Sequence, residues 1–215
     1  MIFKKALLLL TFLGVAIPMF SQGKYALSYS DFMNNKWTDI NIVRVEERSN
    51  DSKVFSGGGD FKLIAETEEA DELLKKQARF VIYEGTLYVN CRSLRCEKTR
   101  FGNWYARGYR LDYENICFIG TTISKEARQK VATYGYAFGL IGGLIAANDQ
   151  IKDRSCYILT SDSSTVYRVS SKYMGAFLRN SPQLKKEYRA VDKKKKESPE
   201  VVLEYFNKLQ LLSNY

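Results

Sequence analysis

The densest concentration of recognition chemistry is one stretch: Arg100-Phe101-Gly102-Asn103-Trp104-Tyr105-Ala106-Arg107-Gly108-Tyr109-Arg110, followed by Asp112 and Tyr113. Aromatic rings stack on sugars and other flat apolar faces, and guanidiniums pair with carboxylates or phosphates. Arg100, Trp104, Tyr105, Arg107, Tyr109 and Arg110 are therefore the candidate ligand-binding residues. In a strand, successive side chains alternate between faces, so Trp104, Arg107 and Tyr109 do not all share one. The competing expectation is an ordinary sheet, with rings facing a core and arginines facing water. A ligand surface requires Trp104 or Tyr105 to be partly exposed beside Arg107 or Arg110.

Catalytic chemistry is poorly supplied. The chain has no histidine, which excludes a His-based triad, a histidine general base and histidine metal sites. A cysteine nucleophile would lack its usual base. Ser56-Gly57-Gly58-Gly59-Asp60 is glycine-rich, but no Gly-Lys-Ser/Thr follows, so it reads as a turn and not a phosphate-binding loop. Glycosidase chemistry needs two carboxyl groups across a cleft. Asp60, Asp112, Glu114 and Asp153 are the only loosely placed candidates, and nothing in the sequence groups them. No cofactor or metal is expected.

The four cysteines are Cys91, Cys96, Cys117 and Cys156. Their even number suits a disulfide framework in an oxidising compartment. Cys91 lies near Cys96 in sequence, and Cys117 and Cys156 sit in or beside apolar strand-like runs. The expected pairing is Cys91 with Cys96 and Cys117 with Cys156, against buried free thiols. The spacings lack the paired knuckles of a zinc site.

From Val131 to Ala147 the chain runs seventeen residues without a charge, with Gly135, Gly139, Gly143 and Ala147 at every fourth position. On a helix these would form a smooth strip for close packing. Each glycine costs about 0.8–1 kcal/mol relative to alanine in a helix, so something must compensate. Burial inside the domain is the first expectation. The alternative is membrane association, since the run would span about 25 Å, the lower limit for a bilayer.

The first residues read as an export signal. Lys4 and Lys5 precede an uncharged stretch from Ala6 to Phe20 that is apolar apart from Thr11, and Pro18 breaks it near its end. Cleavage after Ser21 is preferred, Ala16 being the alternative site. Residues 1–21 are thus the expected signal peptide, and residues 22–215 one domain of 194 residues. Cleavage removes two of the 33 Lys and Arg side chains and none of the 24 acids, lowering the formal charge from +9 to +7. Such a basic protein, periplasmic or extracellular and soluble once cleaved, would meet an envelope protein, an acidic glycan or an anionic membrane surface. Nucleic acid is a poor partner in that location.

The elements that must position these residues are mixed. Asn41–Glu47 and Phe61–Ala65 read as strands. Thr67 caps a short amphipathic helix over Glu68–Gln77, with acids in its first turn and lysines in its last. Phe80–Tyr83 and Thr86–Asn90 flank Glu84-Gly85 as a hairpin. Ile116–Ile119 suits an inner strand, and a helix is expected to begin near Lys125. Cys156–Thr160 and Thr165–Val169 flank a polar turn as a second hairpin. Ser170 or Ser171, Ser181-Pro182 and Ser198-Pro199 open three helices. Lys193–Lys196 belong to a lysine-rich linker, 192–197, before the last helix. The fold class is therefore α+β: an antiparallel sheet built from hairpins, covered by helices, with a helical C-terminal part.

Asn90-Cys91-Arg92-Ser93-Leu94, Arg100-Phe101-Gly102-Asn103-Trp104-Tyr105, Phe138 to Ala147 and Val201-Val202-Leu203-Glu204-Tyr205 resemble an uncharacterised family of exported proteins from Bacteroides-like bacteria. The resemblance implies one intact domain in the bacterial envelope. It carries no activity and no catalytic residues. The functional expectation is a non-enzymatic exported protein that binds a partner or ligand. The alternatives are a carboxylate-based enzyme acting on glycans and a membrane-associating protein using segment 131–147.

Overall fold

The computed structural model describes residues 21–49, 52–53, 58–111, 115–121 and 154–213. Residues 1–20 of the signal segment, the helix expected near Lys125, the glycine-rich run 131–147 and the carboxylates Asp112, Glu114 and Asp153 lie outside them.

The chain opens with strand β1 (Ser21–Ala26), a one-turn helix α1 (Tyr29–Met33), and strands β2 (Thr38–Glu47) and β3 (Phe61–Ala65). Helix α2 (Glu68–Lys76) leads into the hairpin of β4 (Phe80–Tyr83) and β5 (Thr86–Asn90). A small ribbon, β6 (Arg95–Cys96) with β7 (Thr99–Arg100), precedes β8 (Tyr105–Leu111), β9 (Asn115–Gly120) and β10 (Ser155–Leu159). After β11 (Tyr167–Arg168) come α3 (Ser171–Phe177), a 3-10 turn over Leu178–Asn180, α4 (Pro182–Ala190), α5 (Pro199–Lys208) and β12 (Leu212–Ser213). This is the expected α+β architecture, a large antiparallel sheet with helices against it and a helical C-terminal region.

The sheet has ten strands, and part of it closes on itself. β8 pairs with β5 on one side and with β3 and β9 on the other, so β1, β2, β3, β8, β5 and β4 form a ring. Small rings of this size are filled by side chains. Here Ile40, Ile42, Leu63, Ala65, Val81, Tyr83, Tyr88 and Tyr105 fill it, and Leu74 of α2 plugs one end. Period-two alternation sends the other face of β4, β5 and β8 outward, where Phe80, Leu87, Val89 and Ala106 pack with Phe32 of α1, Phe101, Phe118 and Tyr157. Past the ring, β9 and β10 continue the sheet. Their Cys117, Cys156 and Ile158 face the C-terminal helices through Met174, Tyr188, Val202 and Phe206.

The seam between β3 and β8 is one residue pair long, Phe61 with Tyr105. Beside it the Gly59 N–H donates to the Asn103 carbonyl at 2.8 Å. The glycines allow this approach: a Cβ on Gly59 would lie 2.1 Å from the Tyr105 carbonyl carbon, and one on Gly58 (φ +92°) 1.6 Å from Asn103 O.

Local signals explain most element ends. Thr67 Oγ1 accepts from Ala70 N, Ser170 Oγ from Tyr173 N and Ser198 Oγ from Val201 N. Ser181 starts α4 without a side-chain cap, and Pro182 fixes its first turn. Segment 192–197 is a hydrogen-bonded turn. Lys195 N and Lys196 N both donate to Asp192 O, and Tyr188 Oη donates to Lys196 O. Lys193, Lys194 and Lys195 remain exposed.

Candidate functional site

β8 splits the aromatic–arginine stretch instead of presenting it as one surface. Trp104 stands just before the strand with φ +76°, a left-handed backbone that is rare for a bulky side chain. Its carbonyl accepts from Cys91 N at 2.9 Å, which holds it in register with the end of β5. Its ring is half-buried, with the Arg48 guanidinium 5.7 Å and the Lys62 ammonium 5.8 Å from the ring centroid.

Tyr105 is buried, at 2 % exposure, and points into the ring of strands. Arg107 and Tyr109 share the same strand face farther along, the Arg107 guanidinium 5.8 Å from the Tyr109 ring. Together with Gly85, Thr86, Leu87, Gly108 and Ser213 they line a separate, more polar depression between the β4–β5 turn and β12. Arg110 takes the opposite face and lies over Phe32 at 5.4 Å. Arg100 is exposed on the β6–β7 ribbon, opposite Arg95. Trp104 is thus half-buried, and the cations beside its ring are Arg48 and Lys62, not the Arg107 or Arg110 that the sequence led one to expect.

Trp104 lines a pocket of about 210 Å³ where β3 and β8 diverge. The buried Leu63, Leu74 and Tyr105 line it together with Asn90, Asn103, Arg92, Lys75 and Lys76. The wall is built around the C-terminus of α2, whose last carbonyls need donors. Tyr105 Oη donates to Leu74 O at 2.7 Å. Asn90 Nδ2 donates to Ala78 O at 2.9 Å and Leu74 O at 3.1 Å. Arg92 Nη1 reaches Lys75 O at 3.4 Å, and the Arg92 N–H donates to Asn90 Oδ1 at 3.0 Å. Burial drives the Tyr105 phenol well above the usual tyrosine range.

The pocket's charge is positive. Lys75 and Lys76 share a single carboxylate, Glu72, held below its usual range by hydrogen bonds from Lys76 and then Lys75. Arg92 and Lys62 pair with no carboxylate among the described residues. The sequence reading missed Leu63, Leu74, Arg92 and the two lysines as site residues. The lysines were legible as helix-dipole partners, but their place beside Trp104 depends on how α2 packs against β3.

Asp60 is buried and serves as counter-ion to Lys53 (3.6 Å) and to Arg154. Lys53 also reaches Glu47 at 3.4 Å. Arg48 beside it donates to Gly59 O, Ser52 O and Ser52 Oγ, and burial lowers its pKa although Asp60 pushes the other way. Asp60 is therefore engaged with two cations.

All four cysteines are free thiols. Cys91 is buried with Asp60 and Arg48 nearby, and burial first, then Asp60, raises its pKa beyond the range of a nucleophile. Cys96 is partly exposed near Arg168. The two neighbours in sequence border the same hydrophobic cluster, Cys91 within it and Cys96 against it, and are not bonded to each other. Cys117 and Cys156 meet, hydrogen-bonded and buried beneath the C-terminal helices. Among the described residues no cluster of three or more metal-ligating side chains forms, and no helix is long and apolar enough to cross a membrane.

No curated protein and no solved structure matches the chain. A family model does match, over residues 24–213, spanning every strand and helix described above from within β1 to β12. The chain belongs to that family, a family of unknown function (DUF6563).

Proposed function

We propose that this is an exported, non-enzymatic protein that binds a ligand in the pocket between α2, β3 and the start of β8. The observation that carries the reading is Trp104. A bulky residue in the left-handed region costs on the order of 1–3 kcal/mol, and such strain persists where surrounding structure enforces it, often at ligand sites. Here the strain places a half-exposed indole at a pocket that has apolar walls and cations around it. The engaged state of Asp60 and the burial of Cys91 support binding over catalysis.

Export rests on the charged and then apolar character of residues 1–21. Its test is N-terminal sequencing of the protein from fractionated cells. A chain beginning at Gln22 in the extracytoplasmic fraction is expected, and a cytoplasmic chain beginning at Met1 overturns it. The pocket is tested by thermal unfolding of wild type and Trp104→Ala with a panel of small sugars, organic acids and amines. A ligand that raises the wild-type midpoint and leaves the variant unmoved supports the reading. A ligand that shifts both equally places binding elsewhere.

A further inference from the structure

We infer that the ligand of the Trp104 pocket is a small organic anion with a flat apolar body, an inference that rests on the reading of this pocket as the binding site. Three features of the wall converge on that class.

The first is apolar surface. The half-buried Trp104 indole, with the buried Leu63 and Leu74 behind it, offers hydrocarbon that an inorganic ion would leave wet. The indole also favours a flat partner, because aromatic faces are best covered by offset stacking or edge contacts. The second is charge. Lys75, Lys76 and Arg92 line the pocket and Lys62 stands beside its tryptophan, with Glu72 the one carboxylate paired to any of them among the described residues. A neutral ligand would leave that field unanswered, and a cation would be repelled by it.

The third is hydrogen-bonding capacity. The acceptors at the end of α2 are engaged, Leu74 O and Ala78 O by Asn90 and Tyr105 and Lys75 O by Arg92, as is Asn90 Oδ1 by the Arg92 N–H. The Asn103 side-chain amide adds one acceptor and two donors, and the lysines and Arg92 add several N–H groups and no acceptor. Donors therefore outnumber acceptors on the wall, which suits a ligand that supplies acceptors. A carboxylate or sulfonate does so, and Arg92 can grip it in bidentate fashion. The volume, about 210 Å³, admits one or two fused rings.

The experiment is calorimetric titration of the protein lacking residues 1–21 with 2-naphthoate, 2-naphthamide, 2-naphthylmethylammonium, cyclohexanecarboxylate and sulfate. Nitrogen-edited NMR runs in parallel, following the indole N–H signals of Trp37 and Trp104, the chain's two tryptophans. Trp104→Leu assigns the second signal. The expected result is binding of 2-naphthoate with movement of the Trp104 signal. Affinity should fall at least tenfold for the amide and the ammonium, and clearly for the saturated acid and sulfate. Arg92→Gln, at an exposed position, should lower the naphthoate affinity several-fold and flatten its salt dependence, with only a small change in thermal stability from the loss of its long hydrogen bond to Lys75 O. If the amide or the ammonium binds as well as naphthoate while the Trp104 signal moves, the anionic class is wrong and the pocket reading stands. If sulfate binds as well as naphthoate, the flat apolar body is wrong. If no compound moves the Trp104 signal, both this inference and the pocket reading fall.

Discussion

Arg79 and Asp162, 83 residues apart, are joined by a double tie: Arg79 Nη1 donates to the Asp162 carbonyl at 2.7 Å and lies 3.6 Å from its carboxylate. Arg79 Nη2 donates to Ser163 O at 2.6 Å. The Asp162 carboxylate in turn accepts from Tyr29 N (2.5 Å) and Ser30 N (3.3 Å) at the start of α1. The turn after β10 is thereby fixed to both α1 and the entrance of β4. The arginine side chain is only 15 % exposed, and burial lowers its pKa with the Asp162 charge opposing. Arg79→Ala should cost about 2–3 kcal/mol, the range for losing charge-assisted hydrogen bonds from a partly buried site. Arg79→Lys should rescue little, since an ammonium cannot span two carbonyls as a guanidinium fork does. Urea unfolding of both variants checks this. A lysine variant as stable as wild type would show that charge alone holds the turn.

Tyr105→Phe removes the donor to Leu74 O and should cost about 1–2 kcal/mol, the penalty for leaving a buried carbonyl short of a partner. The same substitution tests alkaline linkage. Burial raises the Tyr105 pKa in the folded protein, while the unfolded chain ionises near the ordinary value of about 10. Above that pH the unfolded state has released a proton that the folded state still holds, so stability falls as pH rises. Urea midpoints between pH 7 and pH 10.5 should decline in wild type and decline less in the phenylalanine variant. Equal declines would assign the alkaline loss to other groups, such as Tyr88, Tyr109 and the buried thiols.

The local elements were legible because each signal is carried by adjacent residues. Glu84 and Gly85, with φ +49° and +69°, make the turn that their flanking β-branched and aromatic runs implied. Thr67, Ser170 and Ser198 cap the helices that the sequence assigned to them. β1 was not legible, because Ser21-Gln22-Gly23-Lys24-Tyr25-Ala26 lacks β-branched residues and earns its place only by pairing with β2 and β4. Closure of the ring was hidden for a similar reason: one residue pair, Phe61 with Tyr105, decides it. The candidate site was half legible. Trp104 was named, but its positive φ separates it from the alternation of β8, so its neighbours come from Arg48 just after β2, from β3 and from α2, and not from the arginines next to it in sequence.

The thiols offer a compartment-sensitive count. Cys91 and Cys117 are buried with pKa values raised by burial and, for Cys117, chiefly by the hydrogen bond with Cys156. Thiolate is the reacting form, so folded, reduced protein should expose at most Cys96 to a thiol reagent at neutral pH. Denatured, reduced protein should give all four. Protein purified from an oxidising compartment and denatured without reductant should give two, Cys91 and Cys96, if the adjacent Cys117 and Cys156 have joined. Four would mean that the buried pair stays reduced. None would support the second pairing as well.

Glycine substitutions provide the sharpest test of the ring seam, because the same change has opposite consequences at sites of one chain. At Gly59 an alanine Cβ would lie 2.1 Å from the Tyr105 carbonyl carbon and 2.7 Å from Ala106 N. These are backbone atoms of a paired strand and cannot swing aside as a flexible side chain can. At Gly58 the added Cβ meets Asn103 O at 1.6 Å and the backbone is left-handed. Either alanine must therefore part β3 from β8, opening the ring at its single bridge and disturbing the Trp104 backbone. A loss above about 3 kcal/mol is expected, at the upper end of overpacking. At Gly85 nothing stands within 4 Å, so Gly85→Ala bears only the cost of its left-handed φ, about 1 kcal/mol. At Gly175, inside α3 with open space around it, alanine should stabilise by about 0.5–1 kcal/mol. Thermal unfolding of the four variants should rank them Gly175→Ala above wild type, then Gly85→Ala, with Gly59→Ala and Gly58→Ala far below. Near-wild-type stability in Gly59→Ala would mean that the strands at this seam are not in contact, and the pocket built beside it would lose its floor.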